Sequence, residues 1–220
     1  MLATKYAGRV RAGHRVAPFG YSALMDEHVY QGAATAQDAP ELAALARAEM
    51  PTMTFLHDPD RWAHRFDTGT SIRSSWTLVL RAGHPSGELI GFSWVDDAMF
   101  VDANVVEPWW CINALVVAPE YRKRGYGTGL LKVVLETARA AGAVLVYGQS
   151  LPAAIPFWRE AGFIIGGEEE ALRTHHPARR ATGDPVMLTM APGHSDRWFV
   201  KYTVSAKGSV QSGLLPASLL

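Results

Sequence analysis

The chain has 220 residues, 48% of them hydrophobic and 19% charged, and its 21 basic and 21 acidic side chains leave no formal net charge. That length suits one domain with short extensions, and the charge balance lacks the basic excess of a nucleic-acid-binding surface. No run approaches the roughly 18 apolar residues of a membrane-spanning helix, no apolar signal core follows Lys5, Arg9, Arg11 and Arg15, and the single cysteine, Cys111, excludes an internal disulfide framework.

These features lead us to expect a cytoplasmic protein without membrane or nucleic-acid partners. Residues 1–27 are rich in Gly, Ala and Arg, lack periodicity, and read as an N-terminal arm. A short strand is predicted at Val29–Ala34. A helix is predicted from Asp38 to Met50, with Leu42, Leu45 and Ala46 on one face and Pro51 stopping it. Pro51–Asp67, carrying Phe55, Trp62 and Phe66, reads as a second, less regular helix. Strands at Trp76–Arg81 and Leu89–Asp97 are joined by the turn-forming His84-Pro85-Ser86-Gly87. A further connection leads to a strand at Trp110–Val117, closed by Ala118-Pro119.

The clearest helix opens at Tyr126 or Gly127. Leu130, Leu131, Val134 and Ala138 fall on one face, with Thr128, Lys132, Glu136 and Arg139 on the other, and Gly142 suits its C-terminal end. A strand at Val144–Gln149, a short helix at Ala153–Ala161, and strands at Phe163–Glu168 and Val186–Met190 follow. Beyond Pro192 a single alternation, Trp198–Val204, predicts one strand in a C-terminal extension, 192–220. The order β-α-α-β-β-β-α-β-α-β-β describes an α/β domain, 28–191, with a mixed sheet and helices on its faces. A strand outside the domain is also where a homodimer would form.

The chemically informative segment is Ala114-Leu115-Val116-Val117-Ala118-Pro119-Glu120-Tyr121-Arg122-Lys123-Arg124-Gly125-Tyr126-Gly127-Thr128-Gly129. It runs from a strand through a basic, glycine-containing loop into the long helix. A helix N-terminus presents unpaired N–H groups and the positive end of its dipole, and so favours an anion. Gly125 and Gly127 put no side chain between those amides and a ligand, while Arg122, Lys123 and Arg124 add positive charge. A diphosphate suits this arrangement. No Gly-Lys-Ser/Thr triplet closes the loop, which excludes a Walker P-loop. The glycine spacing and the long basic link exclude a dinucleotide-binding fingerprint.

Arg122-Lys123-Arg124-Gly125-Tyr126-Gly127 resembles the acetyl-CoA loop of the GNAT acetyltransferase superfamily, Gln/Arg-x-x-Gly-x-Gly/Ala. Leu115-Val116-Val117-Ala118-Pro119 is similar to the end of that family's preceding strand. Phe157-Trp158-Arg159-Glu160-Ala161-Gly162-Phe163 is similar to its second signature, an aromatic pair before Gly-Phe. The resemblance covers about Val29–Met190. It implies the GNAT fold, in which the strand at Trp110–Val117 splays from the one at Val144–Gln149. It also implies an acetyl-CoA cofactor whose pantetheine pairs with Leu115, Val116 and Val117. The amides from Lys123 through Thr128, flanked by Arg122, would hold the diphosphate, and Phe157 and Trp158 would lie nearby. The activity implied is acetyl transfer to a primary amine of a small molecule by direct attack. A non-catalytic acyl-CoA-binding or sensor module, or a peptide or protein N-acetyltransferase, are the alternatives.

The chain departs from the family in three places. Trp158 stands where a tyrosine often serves as thiolate acid, Leu151 where an asparagine is common, and Cys111 where many members carry a glutamate base. Cys111 reads either as a nucleophile or as a small buried residue, and Glu107 either as a base or as a solvated turn residue. Asp96 and Asp97 read as turn formers. His175 and His176 fall in a loop near where acceptors enter in relatives, at a spacing poor for a metal, so no metal is expected. Arg179 and Arg180 could attract an acceptor carboxylate or simply be solvated. Trp109 and Trp110 point to opposite sheet faces.

Overall fold

Several strands carry apolar side chains at successive positions rather than in strict alternation, as in Leu78-Val79-Leu80 and Trp109-Trp110-Cys111-Ile112, and such strands need cover on both faces. The computed structural model describes residues 29–66, 75–96, 100–102, 105–107, 109–174, 187–188, 195–203 and 214–216. In chain order it contains strand β1 (Val29–Ala33), helices α1 (Ala39–Glu49) and α2 (Pro59–Phe66), and strands β2 (Ser75–Ala82) and β3 (Leu89–Asp96). A small hairpin follows, β4 (Phe100–Asp102) and β5 (Val105–Glu107), then β6 (Trp109–Val117), α3 (Tyr126–Ala140), β7 (Leu145–Ser150) and α4 (Ile155–Glu160). The remaining strands are β8 (Ile164–Ile165), β9 (Leu172–Thr174), β10 (Met187–Leu188), β11 (Arg197–Tyr202) and β12 (Leu214–Pro216).

The main sheet has seven strands in the order β1-β2-β3-β6-β7-β11-β8. Every neighbouring pair is antiparallel except β6 and β7. On one face α3 presents Tyr126, Leu130, Leu131, Val134 and Ala138, the stripe expected from its spacing, to Leu78, Leu80, Ile90, Trp110 and Ile112. On the other, Ala39, Leu42, Ala43 and Ala46 of α1 and Trp62 of α2 cover Val79, Phe92 and Trp94. Further along that second face Trp109, Cys111, Leu145 and Tyr147 pack with Leu172, Trp198 and Val200. The mixed sheet and its flanking helices agree with the sequence-based expectation.

Two expectations are corrected. The strand foreseen at Trp198–Val204 is no appendage, because β11 lies inside the main sheet, paired with β7 on one side and β8 on the other. Phe199 faces the α3 side and stacks on Trp158, ring centroids 3.8 Å apart and planes at 15°, while Trp198 and Val200 fill the opposite face. Phe199 and Val200 of β11 are bonded on both sides, to β7 and to β8. The strand foreseen at Val186–Met190, by contrast, is not in the main sheet: β10 pairs with β9 in a separate three-stranded sheet with β12. Alternation reveals that a segment is a strand but does not name its partner.

The domain boundary placed at 191 is therefore open to a direct test. Phe199→Ala should lower unfolding free energy by about 3–5 kcal/mol, the usual cost of emptying a fully buried aromatic site, as read by denaturant titration. A chain ending at residue 191 should show no cooperative unfolding transition at all.

Candidate functional site

The site begins where the sheet divides. The parallel ladder between β6 and β7 pairs Trp109 with Leu145 and ends at Ile112 opposite Gly148. Past that point β7 continues with β11, pairing Gln149 with Trp198 and Ser150 with Arg197, while β6 continues with β3. Among the described residues, Asn113–Val117 has no strand on its β7 side. The two strands splay there, as the resemblance implied. Gly148 marks the apex: a Cβ on it would lie 2.5 Å from the Ile112 carbonyl oxygen and 2.5 Å from the Phe199 ring. Only glycine lets strand, carbonyl and ring meet.

A β-bulge sits at the same place. In the β3–β6 register Trp94 opposes Ala114 but Val95 opposes Ile112, leaving Asn113 as the extra residue. A bulge bends its strand and shifts the alternation by one. Before it, Trp110 and Ile112 face α3; after it, Leu115 and Val117 do, while Ala114 and Val116 turn to the α1 side. Were the strand to alternate regularly through Asn113, Leu115 would face α1, away from α3.

The basic loop leaves β6 through a short 3-10 turn, Pro119–Tyr121. Lys123 takes φ 59° and Gly125, the residue capping α3, takes φ 84°. The second is a conformation that suits glycine; the first is uncommon for lysine and marks a tightly specified turn. Among the described residues, the amides from Lys123 through Thr128 donate to no backbone carbonyl and α3 has no side-chain cap; the ladder starts only at Gly129, which donates to Gly125. Gly127 is bare for a different reason. A Cβ there would meet Phe157 at 3.6 Å and Leu115 at 3.7 Å, ordinary contacts, so packing alone does not require glycine. The space fits a ligand lying against the amides, and the donor set fits a diphosphate.

The basic side chains divide their tasks. Arg122 folds back on the stem of the loop: its Nε donates to the Val117 carbonyl at 2.9 Å and its guanidinium pairs with Glu49 of α1. It braces the loop, and the Val117 carbonyl is occupied. Arg124 lies over the Tyr121 ring, 5.6 Å from its centroid, and Tyr121 donates to Glu88 at 2.9 Å. Lys123 and Arg124 are exposed beside the amides. The Tyr126 and Val116 side chains are core, so any contact they make with a ligand is through backbone. Phe157 is half-buried beside Gly127. Trp158 is 5% exposed and stacked on Phe199, so its indole supports the sheet rather than lining the cleft.

On the α1 and α2 side of the bulge lies a polar cluster. Asp96, the last residue of β3, accepts from Trp94 Nε1 at 3.0 Å and from Asn113 Nδ2 at 2.9 Å. Its position at a strand end suggests a turn former; its place opposite Cys111 depends on a register that no local pattern reveals. Cys111 is buried and its thiol donates to Asn113 Oδ1 at 3.5 Å. Burial, with the nearby Asp96 charge adding and a hydrogen bond with Tyr147 opposing, pushes the thiol up to about 12. That environment keeps the proton on sulfur at neutral pH, as suits a small buried residue. Glu107 ends β5 opposite Phe100. Asp97, His175, His176, Arg179 and Arg180 lie outside the described residues.

Comparison with known proteins agrees with this geometry. The family model described as "Acetyltransferase (GNAT) family" matches residues 41–163, more than half of the chain. No curated protein matches. Among solved structures, yncA from Salmonella typhimurium, with its cofactor acetyl-CoA, aligns with a TM-score of 0.58 at 13% identity, covering 82% of this chain and 97% of that one. N-acetylglutamate synthase from Neisseria gonorrhoeae, complexed with coenzyme A and N-acetyl-glutamate, aligns with a TM-score of 0.56 at 20% identity, covering 82% of this chain and 36% of that one. The paia N-acetyltransferase from Thermoplasma acidophilum, in complex with coenzyme A, gives a TM-score of 0.54 at 15% identity, covering 81% and 99%. At these identities the structures speak for the fold alone, and the family rests on the matched model: this chain belongs to the GNAT acetyltransferase family.

Proposed function

We propose that the protein transfers the acetyl group of acetyl-CoA to a primary amine of a small molecule by direct attack. The observation that carries this reading is the row of amides from Lys123 through Thr128 at the mouth of α3, unpartnered among the described residues, beside the splay and left uncovered at Gly127. Those amides, with Lys123 and Arg124, would hold the diphosphate. The backbone of Asn113–Val117, free of a partner strand on the β7 side, would take the pantetheine, and Leu115 and Phe157 would flank it. When bound, acetyl-CoA supplies an activated thioester.

The chain's own residues favour direct attack over an acyl-enzyme. Cys111 is the only cysteine, and a buried neutral thiol is a poor nucleophile. The acceptor amine must lose a proton before it attacks, and Asp96 is a carboxylate held in place one hydrogen bond from the bulge. Position 158 need not supply an acid. Thiols have an ordinary pKa of about 8.5, so a thiolate leaves readily and can be protonated by water.

The amide site has a direct test. Gly127→Val fits the protein but fills the ligand's space, so it should weaken coenzyme A binding by more than about tenfold, or ~1.4 kcal/mol, in calorimetry, with little change in melting temperature. Unchanged affinity would remove the cofactor from this loop. Thiol release from acetyl-CoA with a panel of primary amines tests the reaction itself; tight binding with no turnover on any amine would favour the non-catalytic module.

The thiol makes a separate prediction. Ellman's reagent should find almost no reactive sulfur in the native protein at pH 8 and the full cysteine content in guanidinium. Cys111→Ala should retain acetyl transfer, whereas an acyl-enzyme route would lose it.

A further inference from the structure

Among the described residues, Arg65 is a half-buried cation without a carboxylate partner. Its guanidinium lies on the Trp94 ring, 3.6 Å from the centroid, with the Trp62 ring 5.6 Å away. Its Nε is buried without a hydrogen-bond partner, and among the described residues it forms no ion pair. Burial pulls its pKa down, a sign that the charge is poorly solvated, and Asp96 is the carboxylate whose field acts on it. A guanidinium offers N–H donors in a rigid fork, and leaving them unmet in a half-buried setting is costly.

The platform under it is fixed. Trp94 donates from Nε1 to both Ser75 Oγ at 2.9 Å and Asp96 Oδ1 at 3.0 Å, and Trp62 donates to the Leu56 carbonyl at 2.7 Å. Asp96 is equally fixed, one oxygen held by Trp94 and the other by Asn113, yet each carboxylate oxygen keeps a further lone pair. Arg65 and Asp96 thus sense one another's charge without touching. Both border the residue at which β6 bulges and the splay opens: Trp94, beneath Arg65, opposes Ala114 in register, and Asp96 bonds Asn113. Two opposite charges, oriented and separate, describe a site for a ligand that carries both signs.

We propose that Arg65 and Asp96 form the acceptor subsite of this acetyltransferase and that its acceptor is an α-amino-acid-like zwitterion. The fork of Arg65 takes the carboxylate, and Asp96 takes the ammonium. Asp96 then accepts a proton from that ammonium. The freed nitrogen pair forms the N–C bond to the thioester carbonyl, the tetrahedral adduct collapses as the C–S bond breaks with its electrons on sulfur, the nitrogen gives up its second proton to water, and the sulfur takes one proton from water. The substrate class rests on the acetyl-transfer reading above.

The test compares the common amino acids with their own α-amides, which keep the amine and lose the carboxylate. Free amino acids should show kcat/KM at least about tenfold above their amides, the worth of a charge-assisted forked contact. Arg65→Lys, which keeps the charge but not the fork, and Arg65→Met should both collapse that ratio through KM for the free acids. Asp96→Asn should instead lower turnover on acids and amides alike. Equal rates for acid and amide, or equal loss on both in the Arg65 variants, would overturn the subsite while leaving acetyl transfer intact. In parallel, the same compounds are titrated calorimetrically into coenzyme-A-saturated protein. Binding that favours free acids and depends on Arg65, without turnover, would keep the subsite and sink the acetyl-transfer reading. Neither binding nor turnover would sink both.

Discussion

A short parallel ladder governs this molecule. Among the described residues, the β1-β2-β3-β6 half of the sheet is hydrogen-bonded to the β7-β11-β8 half through one strand pairing, Trp109–Ile112 with Leu145–Gly148. Past Gly148 each strand follows its outer neighbour, and right-handed strand twist carries the halves apart. An unpaired strand edge is normally a liability, because its N–H and C=O groups invite another chain. Here the free edge of β6 opens toward the mouth of α3, where a row of amides is also unpartnered. Backbone donors and acceptors left unmet in two adjoining places are best understood together, as one elongated site for a ligand with a polar backbone-like arm and an anionic end.

What keeps that site open is packing at a distance from it. The bulge at Asn113 sets which β6 side chains face α3, and Gly148 permits the close contact at the apex. Arg122 ties the loop both to Val117 and to α1, so the helix covering one sheet face steadies the proposed anion site on the other. The left-handed turn at Lys123 is held by that bracing rather than by its own preference. A loop fixed before its ligand arrives loses little conformational entropy on binding.

The chain reveals some of this readily and some of it not at all. The loop from Arg122 to Gly127 and the helix after it are local: cap, spacing and charge lie within one stretch, and α3 begins where the glycines imply. The stripes of α1 and α3 are equally legible, because helical periodicity needs no partner. Strand partnership is different. Trp198–Val200 alternates clearly, yet nothing within it says that it lies between β7 and β8. Asp96 looked like a turn residue because its significance comes from Asn113, on a strand beyond the intervening hairpin. Trp158 sat in a recognisable motif, but its stacking on Phe199 depends on the same unforeseen strand. Motifs confined to one segment were readable; residues whose meaning depends on register were not.

Register also offers a reason for the cysteine that replaces the family's frequent glutamate. Position 111 pairs directly with Asp96 across β3 and β6. A carboxylate at both places would set like charges opposite one another in a half-buried part of the sheet, which disfavours ionisation of one or the other. With cysteine at 111 the pair holds one acid, and the thiol, kept neutral, supplies a hydrogen bond to Asn113 without competing for charge. The single acid is also the one oriented on both oxygens, by Trp94 and by Asn113. The exchange at 111 is therefore consistent with a carboxylate moved one strand across the sheet rather than lost.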